Sequence, residues 1–130
     1  MKKLVSLLFV CIISGSTLFG FEHLKSVKEF EEITKKGNFI VDFYATWCNP
    51  CVEMEKNLKT LSKNMKDVTI YKVNIEESVE LLEKYGTPQV PAILYIKDGK
   101  ILQGYIGLKE VKELKKDVVK YFTNKKLAKK

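Results

Sequence analysis

Apolar and polar positions change rhythm several times along the chain, and each change predicts an element. Residues 39–45 (Phe-Ile-Val-Asp-Phe-Tyr-Ala) are almost continuously apolar, as in a central strand buried on both faces. Val52, Met54, Leu58, Leu61 and Met65 then recur at three- and four-residue steps, which predicts a helix over 50–66. Residues 68–73 (Val-Thr-Ile-Tyr-Lys-Val) alternate as a second strand. A short helix over 76–85 is closed by Gly86, and the apolar run 92–96 is a third strand. Asp98-Gly99 is a hairpin signal that turns 100–106 back antiparallel. Gly107 breaks that strand ahead of a helix over 108–122, with Val111, Leu114, Val118, Val119 and Phe122 directed inward.

Upstream, residues 21–24 form a short edge strand. Ser26, with Glu29 at the spacing of a capping box, starts a helix carrying Val27, Phe30, Ile33 and Thr34, which Gly37-Asn38 ends. The main succession is β-α-β-α-β-β-α. Strands that alternate with helices and finish in a hairpin call for an α/β fold, a central mixed sheet between helical layers.

The first twenty residues follow a different pattern. Met1-Lys2-Lys3 is positive, residues 4–13 are apolar and residues 14–17 are small and polar. That order is a secretory signal peptide, with cleavage after Ser16 or Gly20. A retained N-terminal membrane anchor is the alternative, although the apolar run is short of the roughly 20 residues a span needs. The expected organisation is a leader over 1–20 and one domain over 21–130, with a basic tail from about residue 123. Cys11 would leave with the leader. Localisation is then exported and periplasmic.

The full chain carries 23 basic residues, all Lys, against 16 acids, a net charge of +7. Lys and Glu are interleaved, and no Arg is present for bidentate contacts to bases or phosphates. Nucleic acid is therefore not an expected partner.

Chemistry concentrates in Ala45-Thr46-Trp47-Cys48-Asn49-Pro50-Cys51. A closed zinc site wants four Cys or His ligands, and beyond the leader the chain offers Cys48, Cys51 and His23. No metal is expected. As a staple, a bridge between residues 48 and 51 closes so small a loop that it removes little unfolded-state entropy. A redox couple gives the pair another purpose. Cys48 falls where a strand hands over to a helix whose first N–H groups favour a thiolate. Cys51 is close enough to attack a mixed disulfide formed at Cys48, and Pro50 suits the first turn because its missing N–H is not needed there.

Asp42 interrupts the apolar strand. It is either a satisfied structural acid or a proton acceptor for Cys51, with burial raising its pKa toward neutrality. Pro91, ahead of the third strand, is either simple strand-start geometry or a cis bond with a purpose.

These pieces, VDFYATWCNPC, YKVNIEE, KYGTPQVPAILYIKDGK and GYIGLKEV, lie in family order and spacing, and the chain from 21 to about 122 resembles the thioredoxin family. The resemblance implies the thioredoxin-like three-layer α/β/α sandwich and thiol–disulfide exchange without a cofactor, by a monomer. It implies that Cys48 is the exposed nucleophile, Cys51 the buried resolving thiol, Asp42 the buried acid and Lys72 the lysine near that acid. Pro91 matches the cis-proline opposite the disulfide, Val90 offers backbone hydrogen bonds to a docked substrate, Trp47 flanks the site and Gly107 lines the docking groove. Asn49-Pro50 departs from the usual Gly-Pro, and Tyr44 stands where cytosolic members often carry Trp. With the leader, these point to an exported relative acting on proteins with cysteines or disulfides, fed by a membrane electron donor such as a transmembrane thiol–disulfide reductase. The expected direction is reductive; an oxidase or isomerase on the same scaffold, and a binding module with incidental cysteines, are the alternatives.

Overall fold

A computed structural model of the chain describes residues 20–86 and 88–123. The expected leader, Cys11 and the basic tail past Thr123 lie outside the described residues. Five strands form one mixed sheet in the order β1-β3-β2-β4-β5. These are β1 (Glu22–His23), β2 (Asn38–Tyr44), β3 (Thr69–Asn74), β4 (Ala92–Lys97) and β5 (Lys100–Ile106). β1, β3 and β2 run parallel, while β4 and β5 run antiparallel to their neighbours. The four α-helices are α1 (Val27–Ile33), α2 (Asn49–Asn64), α3 (Val79–Tyr85) and α4 (Val111–Val118), the last continued by a π-helical turn over Val119–Thr123.

The strand period of two sorts β2 onto two cores. Phe39, Val41 and Phe43 pack with Leu24, Phe30, Val73, Leu81 and Ala92 on the α1/α3 side. Ile40 packs with Ile70, Ile93 and Tyr95 under Met54, Leu58 and Leu61 of α2 and Leu114 and Val118 of α4. The expected three-layer sandwich is therefore what the chain forms. Leu58 is fully buried. Leu58→Ala is expected to lower stability by about 2–5 kcal/mol, the range for truncating a core leucine, measured by urea unfolding.

Several local expectations are corrected. Val52 is exposed because Cys51, Met54, Leu58 and Leu61 carry the buried stripe of α2, and Val52 lies off it. Val119 is exposed because it lies about 100° of helical rotation past Val118, off the face that Leu114, Val118 and Phe122 share. α3 begins at Val79, not at residue 76. The Asn74 side chain accepts the Glu76 N–H at 2.9 Å and holds the preceding residues in a turn. α4 begins at Val111 rather than 108, with a capping box between Glu110 and Glu113. At α1, Ser26 Oγ accepts the Glu29 N–H as expected, but the Glu29 carboxylate accepts from the N–H of Lys25, one residue upstream of the cap.

Candidate active site

Cys48 is the N-cap of α2 and Cys51 lies in its first turn, joined by a disulfide with Cα atoms 5.3 Å apart. The strand-to-helix handover follows from the sequence: β2 ends at Tyr44, and Pro50 can open a helix because its missing N–H has no partner to lose. Cys48 Sγ accepts a hydrogen bond from the Cys51 backbone N–H at 3.2 Å. That N–H is among the helix donors without an intrahelical partner, so negative charge on this sulfur is favoured over the neutral thiol.

The expected contrast between an exposed Cys48 and a buried Cys51 is not found: the two residues are 5% and 4% exposed. Both residues pack into the same core cluster, with Phe43, Ala45 and Ala92, and share its cover. What separates the two is position: Cys48 stands before the helix, next to Trp47, which is 67% exposed, whereas Cys51 is inside it.

Asp42 lies on β2, fully buried, and neither carboxylate oxygen has a hydrogen-bond partner among the described residues. Burial pushes its pKa up to about 7, against the pull of the Lys72 charge. Lys72 is its register partner on β3 and is itself buried. Its ammonium, however, pairs with Glu55 Oε1 of α2 at 3.0 Å and sits 3.9 Å from the centre of the Tyr44 ring. Lys72 is thus near the acid, as expected, but ion-paired elsewhere.

Val90–Pro91 is a cis peptide, and Pro91 is buried just ahead of β4. The Pro91 carbonyl accepts the Gly107 N–H at 2.7 Å. Gly107 has φ +115°, a conformation that side chains disfavour. Val90 packs against the core cluster that contains Cys48, Cys51 and Ala92. Trp47 thus lies in the loop between β2 and α2, Val90 and Pro91 in the loop before β4, and Gly107 in the loop after β5, the last two loops joined by that hydrogen bond.

Two acids were not foreseen. Glu76 accepts from both the N–H and the hydroxyl of Thr46 at 2.8 Å each, pinning the loop that carries Trp47 and Cys48. These bonds hold the Glu76 carboxyl below its usual range. Glu55 is the other; its spacing of four residues from Cys51 on one helix was the signal available.

A dithiol–disulfide pair capping a helix at the end of a parallel strand, with a buried acid on that strand, defines a protein disulfide oxidoreductase. Residues 22–120 match the family model described as thioredoxin, and the chain belongs to the thioredoxin family. It is 33% identical over 96 residues to thioredoxin of Chlamydia trachomatis, covering 74% of this chain and 94% of that protein. It is likewise 33% identical over 95 residues to thioredoxin of Bacillus subtilis, covering 72% and 91%. Among solved structures, the oxidised form of mitochondrial thioredoxin 3 from Saccharomyces cerevisiae superposes with a TM-score of 0.72 at 29% identity, over 77% of this chain and 94% of that one.

Proposed function

We propose that the protein is an exported reductant of protein disulfides, made with a leader over residues 1–20 and recharged by a membrane-bound thiol donor. The observation that carries the reductive reading is the unpartnered buried carboxyl of Asp42 on the strand that leads to Cys48. Such a group suits removal of the Cys51 proton, the step that lets a reductant release its product.

In the reducing direction, the Cys48 thiolate attacks one sulfur of a substrate disulfide. A Cys48–substrate bond forms, and the other substrate sulfur leaves as a thiolate that solvent protonates. Asp42 accepts the Cys51 proton, and the Cys51 thiolate attacks Cys48 Sγ. The Cys48–Cys51 disulfide forms, the second substrate thiolate departs, and two electrons have passed to the substrate. Trp47, Val90, Pro91 and Gly107 are the docking surface in this reading, with the Val90 backbone as a strand-like partner. An external dithiol restores the couple.

Equilibration with glutathione buffers tests direction. The expected reduction potential lies well below the roughly −180 mV of a disulfide isomerase. A couple near −120 mV, the range of a dedicated oxidase, would instead favour disulfide formation and overturn the reductive assignment. Export is checked separately, by the N-terminal residue of the protein recovered from the periplasm; recovery only from the cytoplasm would remove it.

A further inference from the structure

Asp42, Lys72 and Glu55 place two carboxyl groups and one ammonium in one poorly solvated cluster. The ammonium neutralises one carboxylate and leaves the other without a counter-ion. Register pairs Lys72 with Asp42 across β2 and β3. The salt bridge nevertheless goes to α2, to Glu55 at 3.0 Å, and the Tyr44 ring lies 3.9 Å away on another side of the ammonium. Exposure explains the choice. The Glu55 side chain is 28% exposed and keeps part of its hydration, whereas Asp42 is fully buried and has no hydrogen-bond partner among the described residues. Charge settles on the acid that water still reaches. Lys59, one turn further along α2 and 4.0 Å from the same Glu55 oxygen, adds to that preference.

We propose that Glu55 is a positioning residue of the exchange reaction: by holding the Lys72 ammonium against α2, it keeps that charge off Asp42 and leaves Asp42 free to take the Cys51 proton. This rests on the reading of Asp42 as the base. A direct Asp42–Lys72 pair would stabilise the carboxylate and make it a weak acceptor for a thiol proton. With Lys72 retained by Glu55, the ionised Asp42 is an uncompensated buried charge, and accepting a proton removes it. The cluster is then neutral as a whole, with one ion pair and one carboxylic acid. The remaining neighbours do not replace Glu55. β4 presents Ile93 opposite Asp42. On β2, Tyr44 is bonded through its hydroxyl to His23 of β1 at 2.7 Å, and the Glu77 charge acts on Tyr44 but is not among those that shift Asp42. Consistent with this geometry, the Lys72 charge lowers and the Glu55 charge raises the proton affinity of Asp42, beneath the larger effect of burial.

The test is a carboxyl carbon NMR titration of Asp42 in the oxidised protein, with Asp42→Asn to assign the resonance, in the parent and in Glu55→Gln. The midpoint is expected to fall by about one unit, as for a carboxyl that loses a neighbouring negative charge and gains a positive one. Glu55→Ala serves as the second variant should Gln disturb folding. The acid limb of the resolution step, followed by release of a peptide from a preformed Cys48 mixed disulfide, is expected to move by the same amount. A midpoint that stays or rises overturns the proposal whatever the kinetics show. A lowered midpoint with an unmoved kinetic limb overturns it as well, and in that case the fault lies in assigning Asp42 as the base.

Discussion

Asp42→Asn is expected to stabilise the oxidised protein at pH 8 by on the order of 4 kcal/mol, and to do almost nothing below pH 4. The Asp42 carboxyl rises from 3.8 in the unfolded chain to about 7 in the fold, driven first by burial. Three pKa units at about 1.4 kcal/mol each set the size of the effect. The sign follows from proton binding. Between those two values the folded state holds the proton more tightly than the unfolded state does. Stability contributed by the protonated acid is therefore fully present below about pH 4, and is lost as pH rises through about 7. Above that, folding must bury a carboxylate with no hydrogen-bond partner. Asn fills nearly the same volume and is neutral at every pH, so it escapes the loss. Urea unfolding of parent and variant across this pH range isolates the residue together with its coupling to Lys72 and Glu55, because groups that do not interact with Asp42 cancel in the difference. A difference that does not grow with pH would mean that Asp42 ionises in the fold as easily as in the unfolded chain. The same substitution is expected to slow resolution of the mixed disulfide more than the first attack by Cys48, since only resolution needs the Cys51 proton removed. A gain in stability with a loss of rate is the combination expected of a strained functional acid.

Much of this site could be read from the chain. The apolar run ending at Tyr44, the two cysteines after it and the helical stripe behind them place the sulfurs at a helix N-terminus before any coordinates are seen. Asp42 stands out for a similarly local reason: it is a carboxylate where the pattern demands an apolar side chain. What stays hidden depends on which groups the fold brings together. Lys72 lies near Asp42 through strand register, but its ion pair with Glu55 depends on how α2 sits over the sheet. Glu76 binds Thr46 from thirty positions further along the chain, a contact that periodicity does not encode. The misplaced Val52 and Val119 have a different origin. An apolar residue beside a buried stripe looks like part of it until helical phase is fixed, and both valines lie one position beside a buried residue, Cys51 and Val118 respectively. The equal burial of Cys48 and Cys51 depends on how the core packs around the loop that carries them, which spacing alone does not specify.

Cys51→Ser is expected to accumulate a mixed disulfide at Cys48 with protein substrates, while Cys48→Ser accumulates none and reduces insulin disulfides only at the uncatalysed rate. The argument rests on the asymmetry between the sulfurs once the bond is open. Cys48 is the N-cap of a sixteen-residue helix, and its sulfur already accepts the Cys51 N–H. These donors and the helix dipole favour the thiolate over the thiol at this sulfur. Cys51 sits within the first turn and has no corresponding cap position. Brief alkylation of the reduced protein at pH 6 should therefore label Cys48 well ahead of Cys51, as mass spectrometry of the digested protein would read. Opening the disulfide also frees the Cys48 sulfur from the tether that holds it against α2. Cys48 is accordingly expected to be more accessible in the dithiol than in the disulfide-bonded form, where it is 5% exposed, and the alkylation rate reads this directly. If Cys51 were alkylated first, or if Cys48→Ser proved the trapping variant, the roles would be reversed. Asp42 would then have no resolving thiol to deprotonate, and the link between the buried acid and product release would fail with it.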